Sequence, residues 1–327
     1  MKPRLIGPLI IVLLTIATFA ACGVSTMMIT VKRPAEINLK AFEKIAIGDI
    51  TNEAGQLNRH AQDLRDEITA TLFNSKYFDV LDRQHLDALI KEHKLNLSGF
   101  IDESSAAELG EFIGAAALVF GRIQTDNYRE ELTKSKKWTD KKGGEHQLHF
   151  RKGTYNLSVN IKIIDLQTAR IIAVKTLSAT HVARKSADNA RPPRIDKQML
   201  YSQCMDDIKN EFLKLVAPYE ESVRAFFQKD KQLPEVEQAI VQFKIGEWDV
   251  GMELLKKATH KQGLKPKVLA KSYYNLGLAQ TYRGEFENAL INLKKALGLN
   301  PKSSAYLSAI NRAKQEKENA DKLEEQL

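Results

Sequence analysis

The chain has 327 residues, 43% hydrophobic and 28% charged, with a formal net charge of +8. Those fractions are ordinary for a globular protein, and the length is enough for two domains. Two cysteines, Cys22 and Cys204, exclude a disulfide framework, so the fold must stand on its hydrophobic core.

The chain opens Met1-Lys2-Pro3-Arg4, followed by an uncharged apolar run from Leu5 to Ala21 and then Cys22. Two cations, a short apolar core and small residues are the grammar of a secretion signal. Phe19-Ala20-Ala21-Cys22 resembles a lipobox. That resemblance implies cleavage between Ala21 and Cys22 by signal peptidase II, a diacylglycerol on Cys22 and acylation (palmitate) of its new amino group. Each acyl chain contributes about 0.8 kcal/mol per buried CH₂, so several chains hold a protein stably on a bilayer. The competing reading is an uncleaved anchor, but the run is at the short edge for a span. Gly23 rather than Asp after the cysteine resembles the enterobacterial pattern for outer-membrane sorting, and that resemblance implies an outer-membrane anchor, expected to face the periplasm. Loss of Lys2 and Arg4 lowers the net charge from +8 to +6.

Residues 22–43 read as a tether. Lys44 to Ile50 alternates as a strand does. Leu57, Ala61, Leu64, Ile68 and Leu72 recur at helical spacing with one buried face. A strand is expected at Tyr77–Leu81, then a helix capped by Asp82 and running through Leu86, Leu89 and Ile90. Ser105 with Glu108 makes a capping box for a further short helix. Ala115–Ile123 is an apolar run of strand length. A polar stretch follows, with eight Lys or Arg against four Asp or Glu over residues 128–152. It reads as a solvated loop or as a basic face toward anionic lipid, peptidoglycan or a partner. Tyr155, Leu157, Val159, Ile161 and Ile163 then share one strand face. Asp165-Leu166-Gln167-Thr168 turns the chain into a second strand from Arg170 to about Val182, an antiparallel hairpin. A long helix is expected from Asp196 to Gln228. This order predicts an α/β domain over residues 44–231, a mixed sheet flanked by helices.

Residues 232–301 carry two helical repeats. Tyr273, Leu276, Gly277, Ala279, Gly284, Phe286, Ala289, Leu293, Ala296 and Pro301 resemble the tetratricopeptide pattern within 34 residues. Gly277 and Ala289 let two helices cross closely, Gly284 makes the turn and Pro301 ends the unit. A weaker unit holds Gly246, Trp248, Gly251, Leu255 and Ala258. Residues 302–327 read as a charged, solvating end helix. The expected fold is therefore α/β followed by an all-α repeat domain, whose partners are other envelope proteins or peptides.

Three segments together resemble the CsgG/HfaB family of curli-secretion lipoproteins: Val80-Leu81-Asp82-Arg83-Gln84, Ala116 to Ile123, and Val159 to Thr168, ahead of the helix through Gln203-Cys204-Met205. The resemblance covers roughly residues 40–220. It implies an α/β periplasmic domain and, in the curli member, a homo-oligomeric ring whose hairpins build an outer-membrane β-barrel. A barrel strand needs about 9–11 residues with every second side chain facing lipid. Between Ile123 and Tyr155 one alternating set runs Gln124, Asp126, Tyr128, Glu130, Leu132, Lys134, Lys136, the other Thr125, Asn127, Arg129, Glu131, Thr133, Ser135, Lys137, and neither suits hydrocarbon. His181–Lys197 is short, charged and broken by Pro192-Pro193. The expectation is the family's periplasmic domain without its pore.

No phosphate-binding glycine loop, Gly-x-Ser-x-Gly or Cys-x-x-Cys occurs, and neither enzymatic activity, cofactor nor nucleic-acid binding is expected. His146 and His149, with His181 in the next strand, lack a recognised further ligand and read as exposed loop residues. Ser104 and Ser105 beside Asp102 and Glu103 are explained by capping. Cys204 reads as packed rather than reactive. Trp138, among lysines, reads either as an interfacial anchor or as packed on its own hairpin. The leading function is a non-enzymatic outer-membrane lipoprotein that binds or scaffolds envelope proteins. The alternative is a ring-forming secretion component.

Overall fold

The computed structural model describes residues 23–81 and 116–327. The expected signal, Ala21, Cys22, the Asp82 and Ser105 helices, and Ser104 lie outside the described residues. Along the chain β1 (Val24–Arg33), β2 (Lys44–Thr51) and α1 (Arg59–Ser75) precede β3 (Asp79–Val80). Then come β4 (Ala116–Lys134), the short β5 (Trp138–Thr139) and β6 (Glu145–His146), β7 (Leu148–Asp165) and β8 (Ile171–Asp188). α2 (Lys197–Val216) and β9 (Tyr219–Gln228) lead to α3 (Pro234–Lys244), α4 (Trp248–Thr259), α5 (Pro266–Arg283), α6 (Phe286–Leu299) and α7 (Ser304–Gln326). These residues form two compact units, one of 32–221 with 319–327, the other of 23–31 with 222–318.

The first unit is a five-stranded mixed sheet in the order β3-β2-β4-β7-β8, with flanking helices. β2 runs parallel to β3 and β4, while β4, β7 and β8 are antiparallel. α1 starts because the Asn58 side chain accepts from the Ala61 N–H at 2.9 Å. Its buried stripe is Ala61, Leu64, Ile68 and Leu72, and Leu57 falls before the cap, exposed. Asp196 caps α2 by accepting from Gln198 and Met199. Leu200, Cys204, Ile208 and Phe212 of α2 share one core with α1 and with Tyr155, Leu157, Val159 and Ile161 of β7. The Asp165 carboxylate makes the β7–β8 turn, accepting from the Gln167 N–H at 2.8 Å and the Thr168 hydroxyl at 2.6 Å.

The structure departs from the sequence reading in four places. The tether is folded: β1 takes up its first half, Ala35 and Leu39 are buried, and the Ile37 N–H donates to the Leu215 carbonyl at 2.9 Å. Inward Met27, Ile29 and Val31 alternate with Met28 and Thr30, and exposed Met28 conceals that period. The helix expected to reach Gln228 stops at Val216, because Pro218 disfavours helical Ala217 and offers no N–H. β9 follows. The polar stretch after Ile123 is strand to Lys134, since pairing with β7 satisfies its main chain whatever its side chains are. Finally, α7 buries Tyr306, Ala309, Ile310 and Ala313, an apolar stripe at spacings of three, one and three, so it is a packed helix. At its end the Gln326 amide pairs both ways with the Ala35 main chain, at 2.7 and 3.0 Å, inside the first unit.

The second unit pairs β1 with β9 and adds five helices, α3 to α7, the last through Glu318. Proline at the first turn starts α3 and α5. Gly284, at φ +83°, closes α5 in a left-handed cap whose N–H donates to Thr281. Both helical pairs use a glycine at their closest approach. A methyl on Gly251 would sit 2.3 Å from the Phe243 ring, and one on Gly277 would sit 2.7 Å from Leu293 and 3.0 Å from the Ala289 carbonyl.

Candidate functional site: a strand held by the helical repeats

In the second unit β9 lies against α5 and α7 as an extended peptide lies in a groove. Ala225 and Phe227 point into the apolar core and are fully buried. Burial of a phenylalanine of this kind stabilises by about 1.5–3 kcal/mol. The intervening residues turn their main chain toward the helices. Asn275 accepts from the Gln228 N–H at 2.8 Å and donates to the Gln228 carbonyl at 2.7 Å. A primary amide carries donor and acceptor at the spacing of a peptide group, so Asn275 pairs with β9 as a neighbouring strand does. The Tyr274 hydroxyl donates to the Phe226 carbonyl at 2.9 Å, and Arg312 donates to the Arg224 carbonyl at 3.3 Å. Burial pushes the Tyr274 phenol up to about 12, so it stays a donor across the physiological range. Tyr306 stacks on Tyr274 at 5.0 Å and donates to the Gln228 side chain. Lys271 closes the end of the groove, 2.8 Å from Asp230, and this ammonium holds the Asp230 carboxyl below its usual range. These donors grip backbone, so they select an extended conformation more than a particular sequence.

The repeat residues read from the sequence lie elsewhere. Leu276, Gly277, Ala289, Leu293 and Ala296 are buried where α5 crosses α6, and Phe286 opens α6 half-buried. Tyr273 is half-buried with Lys295 over its ring at 5.4 Å, Gly284 makes the turn, and exposed Pro301 follows α6. They shape the array, whereas Tyr274, Asn275, Lys271 and Arg312 line the groove. Sequence reasoning missed this set. The available signal was Asn275 itself, a poor helix former in mid-helix between Tyr274 and Leu276, which once buried requires partners.

The three histidines are not brought together. His181 pairs with Asp207 at 2.8 Å, well along the ladder from His149. His146 sits at the hairpin end, stacked on Trp138 at 5.3 Å and bonded to Asp188 and, at 3.2 Å, to Asp140. Among the described residues no group of three or more His, Cys, Asp or Glu is arranged to hold a metal. Cys204 is buried and its thiol is pushed up by burial. A second polar knot joins the first unit's core edge: His60 donates to Asp126 at 2.6 Å, as does the Tyr155 hydroxyl.

The Asp188 and Asp140 hydrogen bonds, in that order, hold the His146 pKa above 6.5. The raised folded pKa means the protonated ring stabilises the hairpin end below pH about 6.5, and that contribution is lost as pH rises through the folded value. An NMR titration of His146 should give a midpoint above 6.5, moved down further by Asp188→Asn than by Asp140→Asn. A wild-type midpoint at or below 6.5 would contradict the geometry.

Residues 29–195 match the family model described as curli production assembly/transport component CsgG, and residues 270–303 match a tetratricopeptide repeat. Curated proteins give no match. Among solved structures, a dodecamer of a single-site PelC variant from Paraburkholderia phytofirmans shares 14% identity over 59% of this chain and 99% of that one, at a TM-score of 0.32. The LpoB C-terminal domain from Salmonella enterica shares 15% over 42% and 83%, at 0.28. Lipoprotein GNA1162 from Neisseria meningitidis shares 9% over 52% and 96%, at 0.31. Likeness at these scores bears on neither partner nor activity. The family match spans half of the 327 residues and coincides with the mixed sheet, and the chain belongs to the CsgG family.

Proposed function

We propose that this protein is a non-enzymatic lipoprotein of the outer membrane, facing the periplasm, that scaffolds other envelope proteins through its α/β and helical-repeat units. Acyl chains on Cys22, after cleavage behind Ala21, would be its hold on the bilayer. The observation that carries the reading is the groove of the repeat unit, whose Asn275, Tyr274 and Arg312 hold extended main chain by bonds that recognise protein backbone. In this chain that groove holds β9, so partners of the array would meet its outer surface, where Val241, Ile245, Val250 and Ile291 are exposed.

The test is metabolic labelling with palmitate, followed by capture of the protein and its neighbours from native membranes. Cys22→Ala should abolish the label and, after a salt wash, release the protein into the soluble periplasmic fraction. Replacing Val241, Ile245, Val250 and Ile291 with serine should remove part of the partner set while leaving the label. An unchanged partner set would sink the role given to the array. The alternative, a ring-forming secretion component, draws on the length of β4 and β7, which at 19 and 18 residues exceed a barrel strand. Their alternation of charges argues against a lipid-facing wall, and reproducible single-channel conductance from isolated oligomers would reverse that.

A further inference from the structure

The sheet of the first unit continues past its core as an arm. Beyond the paired Tyr128 and Tyr155, β4, β7 and β8 stay in register to Lys134, His149 and Ala187, a further six residues. At strand rise this is roughly 20 Å. The end is closed by β5 and β6, which pair Trp138 with His146 and Thr139 with Glu145.

The arm holds most of the protein's charge imbalance. Residues 128–152 carry eight Lys or Arg against four Asp or Glu, and residues 180–197 carry five against two. Together they hold +7 of the chain's net +8. Most of the arm's carboxylates are already committed: Glu130 to Arg151, Glu131 to Arg129 and Lys152, and both Asp140 and Asp188 to His146. Lys134, Lys136, Lys137, Lys141 and Lys142 are exposed and form no ion pair among the described residues. They flank Trp138 in sequence, and it stays 43% exposed although one ring face stacks on His146. Leu132 and Phe150 are exposed just behind the tip.

We propose that the tip of this arm docks on an anionic phospholipid surface, with Trp138 at headgroup depth and the lysines around it. The lysines stand on the leading leg and in the turn of a projecting hairpin, so a laterally extended sheet of negative charge meets them together. The amphipathic indole, an apolar ring with an N–H, suits the membrane interface, and lysine stems reach past it to phosphates. The arm rests on the surface and does not cross, because Arg129, Lys152 and Arg184 lie on the strands behind the tip and charges at mid-bilayer are strongly unfavourable. An acidic protein is a different occupant, distinguished below.

The experiment uses the chain from residue 22 with Cys22→Ala, so that neither residues 1–21 nor an acyl chain contributes. Co-sedimentation is measured with vesicles of 30% phosphatidylglycerol in phosphatidylcholine and with phosphatidylcholine alone. Strong binding is expected only to the first, weakening steeply as salt rises. A juxtamembrane lysine is worth about fivefold in affinity, so Lys136→Gln, Lys137→Gln, Lys141→Gln and Lys142→Gln combined should lower it about a hundredfold or more. With Trp248→Phe leaving Trp138 as the reporter, its emission should shift to the blue on anionic vesicles alone. Equal binding to both vesicles, or an unchanged affinity in the quadruple variant, overturns the proposal. So does poly-glutamate bound more tightly than the anionic vesicles, which assigns the tip to an acidic protein. Circular dichroism of each variant checks that the exposed lysine replacements and the conservative Trp248→Phe, at a half-buried site, leave the fold intact.

Discussion

Asn275→Ala is expected to destabilise the helical-repeat unit by about 2–3 kcal/mol, far more than the loss of one small side chain from a helix. Asn275 is fully buried and forms two hydrogen bonds to the same residue of β9. Alanine is the better helix former and would by itself favour α5 by some tenths of a kcal/mol. Against that gain stand the N–H and carbonyl of Gln228, both left without partners beside an apolar core, at about 1–3 kcal/mol each before local relaxation. Phe227→Ala provides the scale. It empties the fully buried site between β9 and Phe243, 5.8 Å away between ring centres, and should cost about 3–5 kcal/mol. Urea unfolding of the full chain, followed together with hydrogen exchange at Gln228, separates the two. If Asn275→Ala unfolds within about 0.5 kcal/mol of the natural chain, β9 is held by its apolar side chains alone and the groove's backbone grip is incidental.

The second large effect is expected at Arg151, a buried cation under the arm. Its guanidinium pairs with Glu130 and donates from Nε and Nη2 to the Pro192 carbonyl at 3.2 and 3.1 Å. It thereby pins the segment after β8 across one face of the arm, where Ile195 approaches Gly153. Arg151→Ala removes three bonds and leaves Glu130 beside a new void. Breaking a buried pair from one side costs about 3–5 kcal/mol. The Glu130 side chain is 28% exposed and can recruit water, which lowers the expected loss to about 2–3 kcal/mol. Arg151→Met with Glu130→Gln fills the space without an orphan charge and should recover about half of that loss. Thermal melting gives the magnitude, and proteolysis within residues 189–196 should accelerate in the single variant. A double variant no more stable than Arg151→Ala would mean that the Pro192 bonds, and not the unpaired carboxylate, dominate.

Legibility in the sequence followed the range of the interaction. The β7–β8 hairpin was plain, because five apolar residues at period two, Tyr155 to Ile163, and an Asp165 turn lie within a few residues of each other. α1 and its buried stripe were equally plain, since helical spacing is local. The small residues Gly277 and Ala289 announced the helix crossing they make. By contrast β1 looked like a tether and β9 like the end of a helix. Each is a strand only because the other pairs with it, nearly two hundred residues away, and Asn275 became a functional candidate only once β9 lay against it.

Composition, hydrophobic period, caps and the lipobox-like start therefore determined what kind of protein this is: an α/β body of the CsgG family and a tetratricopeptide-type array, with Cys22 as the expected anchor. Tertiary structure alone decided that the array's groove already holds the chain's own strand. It also gathered Trp138 and unpaired lysines at the end of a long arm. The physical reason is that main-chain hydrogen bonding is nearly blind to sequence. Which segments pair across large separations is set by closure of the whole fold, and polar strands such as the outer half of β4 carry no apolar pattern to reveal it.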